Sequence, residues 1–150
     1  MRVAGSCHCR NLAFTLDWQP DPTEIVGRAC TCTFCSKHGG VWTSCPTGSL
    51  EITVGDPSLV SRYSFATKTA EFLVCTRCGV VPLVVSRIDD RDYGVVNVNC
   101  FENVGAARLR RVDVTHDDAD TATRLARRKR NWTPVAPVDG RVLADRMERF

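Results

Sequence analysis

The 150-residue sequence contains no apolar run approaching the roughly 18 residues that a membrane-spanning helix needs. An integral helical membrane protein is therefore excluded. Residues Met1 to Ser6 carry no signal-peptide-like apolar stretch, so the expected location is the cytoplasm. No internal repeat and no low-complexity tract interrupts the chain, which argues against solenoids and disordered linkers. Sustained helical periodicity is missing until the last third. An excess of one charge is missing too. Cationic and acidic side chains balance over residues 1–100, and the whole formal charge of +3 falls in residues 101–150. Seven ionised thiols with two divalent ions would bring that total to about zero. Bulk charge thus gives no reason to expect a nucleic-acid partner.

Cysteine is what the sequence has in excess. There are nine, an odd number, and a reducing cytoplasm makes a disulfide framework a poor explanation. Seven fall in tight clusters, and metal ligation is the first reading of such clustering. The remaining composition, 43% hydrophobic and 25% charged, is that of an ordinary folded domain.

The first hundred residues read as short strands separated by turns. Leu12, Phe14, Leu16 and Trp18 alternate with polar or small residues, the period of a half-buried strand. Residues 24–29, 50–54, 59–65, 71–74, 80–85 and 94–98 are further candidates. Turn signals such as Pro20-Asp21-Pro22, Gly39-Gly40, Gly55-Asp56-Pro57 and Asp89-Asp90 divide them. The expected fold is mainly β and antiparallel, with a short C-terminal helix over 119–130. Asp117, Asp118 and Asp120 near its start and the cations near its end suit the helix dipole. Residues 1–104 form the expected zinc-binding β domain. Residues 105–150 are a charged extension expected to pack on it.

Two cysteine constellations carry the chemistry. Cys7 and Cys9 form a C-x-C pair, and Cys75 and Cys78 a C-x-x-C pair followed by Gly79. Four thiolates close a tetrahedral zinc shell, so this site reads as structural. Gly79 permits the positive-φ turn that brings both sulfurs to one ion. A redox pair or an iron–sulfur cluster are the alternatives for the same motif. His8 points away from an extended ligand segment and reads as a bystander. The second constellation is Cys30, Cys32 and Cys35, with no fourth cysteine at a matching spacing. Three protein ligands and an open position characterise catalytic zinc. Cys45, Cys100 or His38 could instead close that shell from within. The run Arg124, Arg127, Arg128, Lys129 and Arg130 reads as a solvated helix face or as a phosphate contact.

With these pieces in place, the chain resembles the glutathione-dependent formaldehyde-activating enzymes and the related centromere protein V-like proteins. The matching residues are Gly5 to Cys9, Cys30 to Lys37, Gly39, Phe65 to Lys68, Cys75 to Gly79 and Gly94 to Cys100, spanning roughly residues 4–104. The resemblance implies coiled antiparallel β-sheets stapled by zinc. It implies a structural zinc on Cys7, Cys9, Cys75 and Cys78, and a reaction-centre zinc on Cys30, Cys32 and Cys35. The implied activity is that of a carbon–sulfur lyase, joining glutathione and formaldehyde into S-hydroxymethylglutathione. Small thiol and aldehyde substrates are the expected partners, and His38 the candidate acid. Lys37, Arg77 and Arg87 are cations that could meet glutathione carboxylates. The rival reading is a non-catalytic zinc module that binds a partner such as nucleic acid through 124–130. A homo-oligomer is left open. One departure stands out: Arg10 occupies a position where the family usually has glycine. If that position requires positive φ, Arg10 is strained.

Overall fold

The computed structural model describes residues 1–116 and 120–137. The chain begins with β1 (Arg2–Ser6) and β2 (Leu12–Asp17), which pair antiparallel. In β2 the expected alternation holds: Leu12, Phe14 and Leu16 are buried and their neighbours are not. β5 (Ser49–Val54) pairs antiparallel on the other edge of β2 and completes a three-stranded sheet.

The second sheet is larger. It takes β3 (Ile25–Cys30), β4 (Val41–Thr43), β6 (Val60–Tyr63), β7 (Glu71–Cys75), β8 (Leu83–Ile88), β9 (Arg91–Asn97) and β10 (Leu109–Val114) in the order β10-β3-β4-β9-β8-β7-β6. A two-residue strand β11 (Thr133–Pro134) adds to β9. These pairings are antiparallel except one: β10 runs parallel to β3 and places Val114 opposite Cys30. β10 lies beyond residue 104 yet forms this edge of the sheet.

Strand alternation explains how one sheet serves two purposes. Leu73, Leu83, Val85 and Val96 face the three-stranded sheet and pack with Val3, Leu12, Leu16, Leu50 and Ile52 in the main core. Their sequence neighbours Val84 and Val95 point to the opposite face. There they join Cys35, Trp42 and Val81 in a second cluster. The near-continuous apolar run of β8 is therefore a strand buried on both faces.

Two helices flank this second face. α1 (Thr33–His38) is a six-residue turn of helix. The Cys32 sulfur accepts from the Cys35 backbone N–H at its start, and Gly39 ends it at φ 72°, the left-handed conformation that glycine tolerates best. α2 (Thr121–Asn131) begins at Asp120, whose carboxylate accepts from the Thr123 N–H at 2.7 Å. It carries cations in its last turn, and both features suit the helix dipole. Asp117, Asp118 and Ala119, expected near the helix start, lie outside the described residues.

Candidate metal centres and their cavity

The first cysteine cluster joins the ends of distant strands. Cys7 follows β1, and a turn in which Arg10 N–H donates to the Cys7 carbonyl presents Cys9. Cys75 ends β7, and Cys78 follows in a turn closed by Gly79 N–H to the Cys75 carbonyl at 2.7 Å, with Gly79 at φ 77°. The four sulfurs lie within 4.8 Å of one another. Cys7 and Cys9 are 3.8 Å apart, and Cys9 and Cys75 are 3.4 Å apart. All nine cysteines lie among the described residues and none forms a disulfide.

Backbone donors point at these sulfurs. Leu12 N–H donates to the Cys7 sulfur at 3.3 Å. Burial still pushes the Cys7 thiol up to about 12. Burial pushes on Cys78 in the same direction, but backbone N–H groups of Cys9 and Val80 and the neighbouring sulfurs win, leaving it at about 6. A cluster of sulfur donors with its own N–H donors could hold a metal ion, and the turn at Gly79 is the one its sequence requires.

The second cluster sits on the other face of the large sheet. Cys30 ends β3, Cys32 caps α1, and Cys35 lies buried in the first turn of that helix. The three sulfurs also lie within 4.8 Å of one another. No fourth His, Cys, Asp or Glu among the described residues joins them at that range. Cys45 and Cys100 instead pack in the main core. The Trp42 indole N–H donates to the Cys35 sulfur at 3.3 Å. Interaction with Cys30, and then burial, hold the Cys35 thiol above its ordinary value, while the Trp42 donor opposes this. So crowded a site favours the protonated Cys35 thiol until a cation enters among the sulfurs.

A cavity of about 300 Å³ opens over this triad. Its apolar walls include Trp42, Phe65, Phe72, Val84, Val95 and Trp132. Its polar walls include Thr67, Arg28, His116, Arg124, Arg127 and Arg128. Solvent exclusion, and then Arg127, Arg28, Arg124 and Arg128, hold His116 below 6.5.

Several expected residues lie elsewhere. His38 is not among the lining residues. Its ring packs on Phe34 at 4.5 Å and near Trp42 at 6.0 Å between centroids. Its Nε2 is buried and has no hydrogen-bond partner among the described residues. Phe34 stacks in an aromatic group with Tyr63, Phe65 and Phe72. Lys37, Arg77 and Arg87 do not line the cavity. Arg87 is engaged by Asp92 at 3.5 Å and Asp90 at 4.0 Å. The cavity's cations come from α2 and β3 instead. The signal was present: 124, 127 and 128 follow the i, i+3, i+4 spacing of one helical face.

A pair of sulfur clusters that could each hold a metal ion, one of them beneath a cavity, on two β-sheets defines a mainly β protein. Residues 2–115 match the family model described as glutathione-dependent formaldehyde-activating enzyme, and the chain belongs to that family. It is also similar to a solved protein from Rhodobacter sphaeroides, with 25% identity and a TM-score of 0.54. That similarity covers 69% of this chain and 92% of the other.

Proposed function

We propose that the protein is a zinc-dependent carbon–sulfur lyase and synthase that joins a small thiol, glutathione-like, to a small aldehyde, formaldehyde-like. The observation that carries this reading is the Cys30, Cys32 and Cys35 triad set in a cavity with no fourth donor among the described residues. The family description supports the same pair of substrates.

The donor sets fit zinc. Four thiolates at about 2.3 Å from one ion stand about 3.8 Å apart in a tetrahedron, close to the separations of 3.8 and 3.4 Å in the first cluster. Cys7, Cys9, Cys75 and Cys78 would form the closed, structural shell. Cys30, Cys32 and Cys35 would hold the second ion. When bound there, zinc supplies Lewis acidity that favours a thiolate near neutral pH.

The chain's own residues do the rest. Trp42 orients Cys35 through its indole N–H. Phe72, Val84, Val95 and Trp132 exclude water from the cavity, which matters because water adds to the aldehyde carbonyl in competition with the thiol. In the forward direction the sulfur–carbon bond forms, the carbonyl double bond becomes a single bond, and the thiol proton is returned to the new hydroxyl. A histidine delivers that proton: His38 behind Trp42, or His116 on the cavity wall. The pH–rate profiles of His38→Asn and His116→Asn separate these two. Nine cysteines without a disulfide suit a reducing compartment, and we place the protein in the cytoplasm.

The test is adduct formation followed by carbon-13 NMR with labelled formaldehyde and a thiol. The wild-type protein should speed exchange between free and thiol-bound formaldehyde, and Cys30→Ala or Cys35→Ala should abolish the acceleration. Acceleration that survives in either variant would overturn the assignment of the triad.

A further inference from the structure

The cavity's polar wall has one sign. Arg28, Arg124, Arg127 and Arg128 line it, and no Asp or Glu among the described residues does. None of the four forms an ion pair among the described residues. Their partners are neutral. Arg28 donates to the Ser44 hydroxyl at 2.8 Å, Arg124 to the His116 carbonyl at 3.2 Å, and Arg128 to the Thr69 hydroxyl at 2.7 Å. Arg124 Nε is buried with no partner among the described residues. Arg128 is only 9% exposed, and its guanidinium lies 5.1 Å from the centre of the Trp132 ring. Buried charges are ordinarily paired. Burial, and then mutual repulsion with Arg124 and Arg127, hold Arg128 down at about 10. Four guanidiniums around one cavity, with no carboxylate among the described lining residues, present a cationic wall that suits an anion.

We propose that the inner face of α2, with Arg28, selects a substrate whose tail carries two or more oxyanionic groups and no ammonium group. Guanidinium matches carboxylate and phosphate oxygens through paired N–H donors. The enclosure of the site favours a small molecule over a nucleic-acid backbone, because the arginines face a cavity of about 300 Å³ that also holds the cysteine triad. Glutathione is a poorer match than its two carboxylates suggest. It also carries an ammonium group, and the described lining residues offer no carboxylate to receive it. α2 lies beyond residues 2–115, the span matched by the family model. The selector is thus carried by a segment outside that span. This inference takes the reaction centre from the proposed function, but the anion site itself requires only the arginines.

The experiment is calorimetric titration of the metal-loaded protein at low salt. The thiols are mercaptosuccinate, glutathione and neutral 2-mercaptoethanol. The non-thiol probes are succinate and inorganic phosphate, which separate carboxylate from phosphate recognition. Mercaptosuccinate should bind at least about tenfold more tightly than either other thiol, and added salt should erode that preference. Arg127→Gln, at a half-buried residue with no side-chain hydrogen bond among the described residues, should reduce the preference about tenfold. Arg130→Gln, on the exposed face, should leave it at the wild-type level. Equal binding of all three thiols, or a preference unmoved by Arg127→Gln, would overturn the inference even if thiol–aldehyde turnover is found. Loss of succinate or phosphate binding in Arg127→Gln with no turnover of any thiol would uphold the inference and sink the proposed activity. Tighter binding of a short DNA duplex that displaces succinate and depends on Arg127 would overturn it in favour of a nucleic-acid partner.

Discussion

Arg10 adopts φ 65° in the turn that presents Cys9, a left-handed conformation that costs a non-glycine residue about 1–2 kcal/mol. Its ion pair with Glu102, at 3.9 Å between largely exposed groups, returns little. Arg10→Gly should therefore stabilise the fold by about 0.5–1 kcal/mol, after the greater chain entropy of glycine is subtracted. Urea denaturation measures this, and a destabilised variant would mean that the arginine makes an interaction the geometry does not reveal. His38 gives a pH prediction. Burial lowers its pKa below 6.5, against a smaller upward effect of its own backbone hydrogen bond. The unfolded chain then binds the proton more readily. Stability from this group is complete above about 6.5 and falls as pH drops from there towards the folded value. The melting temperature should fall between pH 7.5 and pH 5.5, and His38→Asn should make that fall smaller. A fall as large in the variant would assign the acid sensitivity to other groups, His116 among them.

The elements differ in how well their residues announced them. β2 and β5 alternate cleanly between core and solvent, and the sequence pattern located both. β4 is three residues long, too short for any period to register. β10 is an edge strand in which Arg110, Arg111 and Asp113 surround Leu109, Val112 and Val114, so its pattern lacks strict alternation and its parallel pairing with β3 is a tertiary fact. α1 is invisible to periodicity because its six residues make under two turns. What stabilises it is a cap made by a cysteine. Cys32 is both a sulfur of the triad and the acceptor for Cys35 N–H. Cys32→Ala and Cys32→Ser should lose metal from the triad alike. Ser retains a capping oxygen, so it should exceed Ala in unfolding stability by about 0.5–1 kcal/mol. Equal stabilities in urea would show that a side-chain cap at position 32 contributes nothing. For α2 the arginine spacing was legible, but the direction of that face was not. The helix turns its cations towards the triad and keeps Lys129 and Arg130 outside.

Across the whole molecule, the large sheet separates two sulfur clusters with different surroundings. The four-sulfur cluster borders the main core, with Cys7 and Cys75 fully buried among apolar side chains. The triad lies on the opposite face, beneath a cavity. Both clusters were legible as cysteine spacing, because their sulfurs come in short C-x-C and C-x-x-C motifs rather than scattered through the core. The cavity's walls were not, because Arg28, Phe72, His116 and Trp132 come from four separate segments that only the sheet order brings together. On the proposed function, stability falls to one cluster and chemistry to the other. The most direct test is zinc content by elemental analysis, with circular dichroism, on the wild-type protein, Cys35→Ala and Cys78→Ala. The account predicts two zinc ions per wild-type chain and one in a folded Cys35→Ala protein. Cys78→Ala should unfold as its closed shell is lost. A single zinc in the wild-type chain, or a folded Cys78→Ala protein with both ions, would contradict it.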